Sequence, residues 1–252
     1  MNNGKNSAIT VLIVGATGYI GSAVVAESVR QGYDVIAVTR SPKHDCQFDG
    51  AEVVLADVSD PVSIAEAFNR KIDVVISCLA TRSGLPQDFD DIDYKATLNV
   101  LNAALEYGAD KFILLSAICV RKPDLPLQLA KLKMEDALIR SGIDYTIVRP
   151  TAYFWVFDVQ TKRIAQGKPA YVVGTGDQAI HNPIYKEELA EFMVSGINNS
   201  ERKNRIFIFG GPEVPENIVT YRDSLMMVFA SMGKKPNIVS IPRWLLMAVI
   251  HS

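Results

Sequence analysis

The chain has little cysteine, little net charge and no long apolar run, and each shortage excludes a class of protein. Its three cysteines, Cys46, Cys78 and Cys119, lie far apart without paired spacing. That excludes a disulfide framework and a zinc site, and it fits a reducing compartment. A formal net charge of −2 leaves no basic footprint for nucleic acid. No stretch is long and apolar enough for a membrane-spanning helix. Met1 to Ser7 is polar and short, unlike a signal or transit peptide. No linker, repeat or low-complexity segment divides the 252 residues. What remains is 48% hydrophobic and 21% charged, an ordinary globular composition. The length suits one large α/β domain with a small added lobe. The chain stops at Ser252 soon after an apolar pattern from Trp244 to Ile250. That abrupt end leaves room for a further C-terminal extension.

The stretch from Ala8 to Gly32 organises the rest. Ala8 to Val14 is an apolar, β-branched run, as expected of a strand buried on both faces. Glycines follow at Gly15, Gly18 and Gly21, and a helical pattern runs on to Gly32. Gly15 permits the tight turn, Gly18 lets backbone approach a phosphate, and Gly21 lets the helix pack on the strand. The unpaired first-turn N–H groups of that helix sit at its positive end and suit a pyrophosphate. A glycine motif placed between a strand and a helix is far more specific than the same spacing alone.

The second strand, Asp34 to Thr39, ends at Arg40-Ser41 with no acid. An acid at this position binds the 2′-hydroxyl of NAD, whereas Arg40 suits the 2′-phosphate of NADP. The third strand, Glu52 to Ala56, carries Asp57 and Val58 at its end, near the expected adenine edge. The fourth, Asp73 to Ser77, leads into Cys78-Leu79-Ala80-Thr81 at the carboxyl edge of the sheet. One helix is expected from Ile92 to Tyr107, with its core face at Thr97, Val100, Leu101, Ala104 and Leu105. Strands follow at Lys111 to Ser116 and Asp144 to Arg149, with a helix from Leu127 to Ser141 between them. This alternation predicts a Rossmann-type, doubly wound parallel sheet over residues 8–152. Residues 153–252 are expected to form mostly a small C-terminal substrate lobe, with some elements returning to the core. The late strand Arg205 to Phe209 is read as one piece of that lobe.

The glycine motif, Ser116 after the fifth strand and Lys131 on the next helix resemble an atypical short-chain dehydrogenase/reductase. The standard family carries a Tyr four residues before the Lys; here the position is Leu127. This departure resembles the NmrA-like and isoflavone-reductase-like branch. A closer resemblance runs from about Val11 to the C-terminus, to the NADPH-dependent divinyl chlorophyllide 8-vinyl reductases. It rests on Ile76-Ser77-Cys78-Leu79-Ala80-Thr81-Arg82, Ile92-Asp93-Tyr94-Lys95-Ala96-Thr97 and Leu114-Leu115-Ser116-Ala117-Ile118-Cys119-Val120. Ala130-Lys131-Leu132-Lys133, Ile147-Val148-Arg149-Pro150-Thr151-Ala152-Tyr153-Phe154 and Gly210-Gly211-Pro212 add to it.

The resemblance implies NADPH as cofactor and a tetrapyrrole as substrate, with no metal site. Cofactor contacts are expected from Gly15, Thr17, Gly18, Tyr19, Ile20, Gly21, Arg40, Asp57, Val58, Leu79, Ala80, Lys131, Arg149 and Pro150. Lys131, Ser116 and Tyr153 are the candidate catalytic residues. Ser116 holds either the nicotinamide edge or substrate, or it only caps the strand. Tyr153 is a candidate proton donor or a wall of the pocket. Phe154, Trp155 and Phe157 line a flat apolar pocket or fill the lobe core. Cys119 and His181 are read as structural. An NADP(H)-binding sensor without turnover, and a reductase or epimerase for another substrate, remain open. The expected compartment is the cytoplasm in a photosynthetic bacterium and the plastid in an alga or plant.

Overall fold

The computed structural model describes residues 9–41, 48–81, 85–177, 180–212 and 219–245. Strand β1, Thr10–Val14, is buried at every position. Its Val-Leu-Ile-Val run has no polar face, so it is stable only where both faces are covered. Six further strands join it: β2 (Asp34–Thr39), β3 (Glu52–Leu55), β4 (Val74–Ser77), β5 (Lys111–Leu115), β6 (Asp144–Pro150) and β11 (Arg205–Phe209). They form a parallel sheet in the order β11-β6-β5-β4-β1-β2-β3. The order reverses at β1, because β2 lies on one side of it and β4 on the other. Open sheets of this kind bind ligands at that reversal, outside the carboxyl ends of the strands.

The chain divides into two units, Met1–Pro150 with Lys186–Phe209, and Thr151–Tyr185 with Gly210–Ser252. The first holds the sheet and helices α1 (Tyr19–Arg30), α2 (Pro61–Glu66), the single turn α3 (Pro86–Asp88), α4 (Thr97–Glu106), α5 (Pro126–Arg140) and α7 (Lys186–Ser195). Leu12, Ile36, Ile64, Val75, Leu101, Phe112, Met134, Leu138 and Ile147 are fully buried in its core. The second unit holds α6 (Asp158–Ala165), α8 (Tyr221–Ser231) and three two-stranded pairs. These are β7 (Ala152–Tyr153) with β10 (Pro183–Ile184), β9 (Ile180–His181) with β12 (Val219–Thr220), and β8 (Ala170–Val173) with β13 (Ile238–Ile241). Ile164, Ala170, Val172, Leu225 and Phe229 are its core.

Placing Arg205 to Phe209 in the lobe is corrected by the structure. This strand leaves the second unit altogether and pairs in parallel with β6, Ile206 opposite Ile147 and Phe207 opposite Val148. The preceding α7 supplies the crossover that a parallel partner requires. Its amphipathic sequence packs on α1 through the buried Leu189, Ala190, Met193 and Val194.

Asp73 pins the amino ends of three strands. Its Oδ2 accepts the Thr10 N–H at 2.8 Å, and Lys71 lies 2.8 Å from Oδ1. Its carbonyl accepts from Asp110 and Lys111 at the start of β5. Burial pushes its carboxyl pKa up, but Lys71 and the Thr10 amide outweigh this and hold it below the usual carboxylate value. A depressed folded-state pKa adds stability above the unfolded value of about 3.9, and that stability is lost as pH falls through the folded value. Asp73→Asn should therefore cost on the order of 1 kcal/mol at pH 7. The gap between the denaturant midpoints of the two proteins should shrink as pH falls below the unfolded carboxylate value of about 3.9. A gap that is the same at pH 7 and below that value would contradict this role.

Candidate active site

Gly15 follows β1 directly and has φ of +73°. A Cβ there would lie 2.6 Å from the Cys78 carbonyl oxygen, so the two chain segments leaving β1 and β4 nearly touch. This is the reversal point of the sheet. Helix α1 starts four residues later with Gly18 as its cap, no side-chain cap and no acid in its first turn. The positive end of the helix thus faces the turn without a capping side chain, and no acid in its first turn competes with an anion there. Gly21 lies against the turn, where a Cβ would sit 2.1 Å from the Gly15 carbonyl oxygen. A cradle that side chains would fill, at the positive end of a helix, fits a dinucleotide pyrophosphate.

The expected cofactor residues fall around this point unevenly. Thr17 and Gly18 are half-buried in the turn, while Ile20 is buried in the core beneath it. Tyr19 is exposed, and the Lys186 ammonium from α7 lies 5.4 Å from its ring centroid. Arg40 is exposed at the carboxyl end of β2. The Thr39 hydroxyl bonds both the amide and the carbonyl of Ser41 at 3.1 Å, which stiffens the turn carrying Arg40. Asp57 is exposed and accepts the Ser59 N–H at 2.9 Å, while Val58 is buried in the core. Leu79 is half-buried and Ala80 exposed in the loop after β4.

A second set of side chains gathers at the carboxyl ends of β4 and β5. Leu79, Asp93, Thr97, Leu114, Leu115, Ser116, Lys131 and Met134 enclose one small pocket that is closed to water as the side chains stand. Lys131 reaches it from α5, one turn after Leu127 and one turn before Glu135, so the three share a helix face. The Lys131 ammonium lies 2.9 Å from Oδ1 of Asp93, whose side chain is fully buried. The contact is a close ion pair rather than an aligned hydrogen bond. Oδ2 of Asp93 accepts the Thr81 N–H at 3.1 Å. Ser116 follows β5, held by its N–H to the Val148 carbonyl at 2.7 Å, and its hydroxyl donates to Glu135. The Arg149 guanidinium grips both oxygens of Glu135, with Nε 3.0 Å from Oε1. Two buried carboxylates are thus each matched by one cation, as burial of charge requires.

Asp93 and Glu135 were missing from the sequence expectations. Asp93 was hidden because residues 92–107 read as one regular helix. The structure instead has a π-helical segment, Phe89–Ala96, running into α4, and the Thr97 hydroxyl donates to the Ile92 carbonyl at 3.2 Å. Widened turns of this kind recur at functional sites. Glu135 carried one usable signal, its spacing of four from Lys131. Arg149 was expected to hold cofactor; its guanidinium is engaged by Glu135, and Pro150 is buried at the end of β6.

Tyr153 and Phe154 lie in the second unit. Tyr153 is half-buried in β7, and Phe154 stacks on Tyr185 with centroids 4.4 Å apart. Phe157 is buried and stacks on Tyr221 at 5.5 Å. The Trp155 side chain lies outside the described residues, as does Cys46. Cys78 is fully buried beside the pocket, and burial pushes its thiol up to about 12, with Lys131 opposing weakly. That thiol is inert at neutral pH. Among the described residues no cluster of His, Cys, Asp or Glu could hold a metal, and no helix is long and apolar enough to cross a membrane.

A family model described as NAD(P)H-binding matches residues 15–200. The chain is similar to the chloroplastic divinyl chlorophyllide a 8-vinyl-reductase of Cucumis sativus, 38% identical over 250 residues. That match covers 92% of this chain and 59% of the relative. The protein of the same name from Zea mays is 38% identical over 261 residues, 97% of this chain and 64% of its own length. The chain therefore spans about six-tenths of the length of these curated relatives. Among solved structures, the UDP-glucose 4-epimerase of Thermotoga maritima superposes with a TM-score of 0.79 at 19% identity. It covers 93% of this chain and 86% of the epimerase, a likeness of fold.

Proposed function

This chain belongs to the NAD(P)H-binding family, and on that premise we propose that it reduces the 8-vinyl group of a divinyl chlorophyllide, or its protochlorophyllide, to ethyl with NADPH. One observation carries the reading. Lys131 and Ser116 line the pocket beside the dinucleotide cradle, and Leu127, one turn before Lys131 on α5, stands where a carbonyl reductase would place a phenol. Reduction of a carbon–carbon double bond forms no alkoxide, so it has no need of that phenol. The names of the two plant relatives supply the substrate class.

NADPH, when bound, supplies the hydride. The residues that would hold it are the Gly15–Gly21 turn, Arg40 at the 2′-phosphate, and Leu79, Ala80 and Lys131 toward the nicotinamide. The 8-vinyl group is conjugated with the macrocycle, which spreads the negative charge that reduction delivers, and a proton completes the ethyl group. Lys131 offers N–H donors in the pocket and is held there by Asp93. Leu79, Leu115 and Met134 keep water from that end, which protects a hydride donor and holds the reacting carbon in line. The second unit, with Tyr153, Phe154, Trp155 and Phe157, is assigned to the flat apolar substrate. The compartment follows the substrate: the plastid in an alga or plant, the cytoplasm in a photosynthetic bacterium.

The test is absorbance of the purified protein with divinyl chlorophyllide a and NADPH, with NADH in parallel. A blue shift of the Soret band with NADPH alone is expected. Tight NADPH binding without any shift would overturn the reductase reading in favour of a sensor. The cofactor assignment has its own prediction. Charge-assisted contacts to phosphate are worth about 1.5–3 kcal/mol, so Arg40→Asp should weaken NADPH binding by at least about tenfold. NADH binding should change little. Equal losses for both cofactors, measured by titration, would remove Arg40 from the 2′-phosphate.

A further inference from the structure

We propose that Glu135 fixes the polarity of Ser116, so that Ser116 meets the ligand as a hydrogen-bond acceptor and takes the carboxamide N–H of the nicotinamide. This rests on the reading of the pocket as the nicotinamide end of the site.

The argument is one of hydrogen accounting. Both oxygens of Glu135 are occupied by guanidinium N–H groups from Arg149. A carboxylate gripped in this way has no proton to give and only accepts. The bond between Ser116 and Glu135 therefore has a single direction, with the Ser116 hydroxyl as donor. A hydroxyl has one hydrogen and two lone pairs. Once the hydrogen is given to Glu135, only lone pairs remain for anything else in the pocket. The arrangement is well buried, since Ser116 is 3% and Glu135 2% exposed, so water does not freely exchange the roles.

Ser116 is thus not a proton donor to substrate, nor does it polarise a carbonyl. A partner must bring its own N–H or O–H. The periphery of a tetrapyrrole near a vinyl group offers C–H bonds, carbonyls and carboxylates, which are no donors. The nicotinamide ring carries one N–H donor group, its primary amide. Ser116 sits beside Lys131, whose ammonium only donates. One acceptor and one donor at adjacent points can orient an amide-bearing ring face by its N–H at Ser116. Glu135 acts through Ser116 and is a positioning residue.

The experiment compares binding of three reduced dinucleotides, by fluorescence titration without substrate. They are NADPH, its thionicotinamide analogue, which keeps the NH2, and its 3-acetylpyridine analogue, which has a methyl ketone instead. The wild-type protein should bind the acetyl compound about tenfold more weakly than the other two, the discrimination expected of one hydrogen bond. Ser116→Ala should bind all three alike. Glu135→Gln frees the Ser116 hydrogen to turn, and the preference should shrink or reverse. Should Glu135→Gln fail to fold, the Ser116→Ala comparison decides alone. Equal discrimination in wild type and Ser116→Ala, or none in wild type, overturns the proposal while leaving the cofactor reading intact. Failure of NADPH itself to bind overturns both. A structural role for Glu135 alone would lower stability without changing the ratio among the three ligands.

Discussion

Lys131→Met should destabilise the chain by about 3–5 kcal/mol, because it leaves the Asp93 carboxylate buried with no counter-charge. Asp93 has no exposed side-chain surface, and its Thr81 contact is a single neutral N–H. For a chain of this size that corresponds to a fall in Tm of roughly 6–20 °C. The methionine matches the lysine stem in volume, so little of the loss comes from packing. Asp93→Asn should cost a similar amount for the converse reason, a buried ammonium without its anion. Joining the two changes removes both charges, and Lys131→Met with Asp93→Asn should recover most of the lost Tm. Reduction should stay low in the double variant, by about 10²–10⁴ in kcat, if Lys131 serves the proton. Thermal unfolding of the four proteins measures the coupling directly. Strictly additive losses would show that the pair does not act as a unit. A stable, fully active double variant would remove Lys131 from the chemistry.

Gly21→Ala should be nearly as damaging although it adds only one methyl group. The new Cβ would lie 2.1 Å from the Gly15 carbonyl oxygen and 2.8 Å from its carbonyl carbon. Both are backbone atoms in the cradle, so relief requires α1 to move away from the turn. A cost of about 3 kcal/mol, or roughly 6–12 °C in Tm, is expected, with more than a tenfold loss of NADPH affinity. Gly32→Ala makes the control. Gly32 ends the same helix at φ +82°, yet nothing lies within 4 Å of its Cβ position. Strain without collision should cost only about 1 kcal/mol and leave binding unchanged. Similar losses at both glycines would mean that Gly21 matters for backbone freedom and not for close approach.

These residues mark how far local sequence reaches. The buried strands were legible because Thr10–Val14, Asp34–Thr39 and Lys111–Leu115 are short, mostly apolar runs, the first two rich in β-branched residues. Such runs leave little choice but a sheet covered on both faces. The cradle was legible because glycine spacing between a strand and a helix is itself the mechanism. Lys131 and Ser116 were found through a resemblance, and the gap at Leu127 was visible in the same string.

The partners of those residues were not legible. Asp93 meets Lys131, and Glu135 meets Ser116 and Arg149, across segments far apart in the chain. Strand β11 joins β6 after the chain has left the first unit and come back. No local period encodes any of these pairings; they follow from which strand lies next to which in the sheet. The π-helical turn at Phe89–Ala96 is of the same kind, since nothing in its residues departs from a helical pattern. Local sequence determined the strands, the turn and the anion cradle, because each depends on residues within a few positions of one another. The tertiary structure alone decided which buried charges neutralise each other and which way the Ser116 hydrogen points, because those depend on groups that only the folded sheet brings into reach.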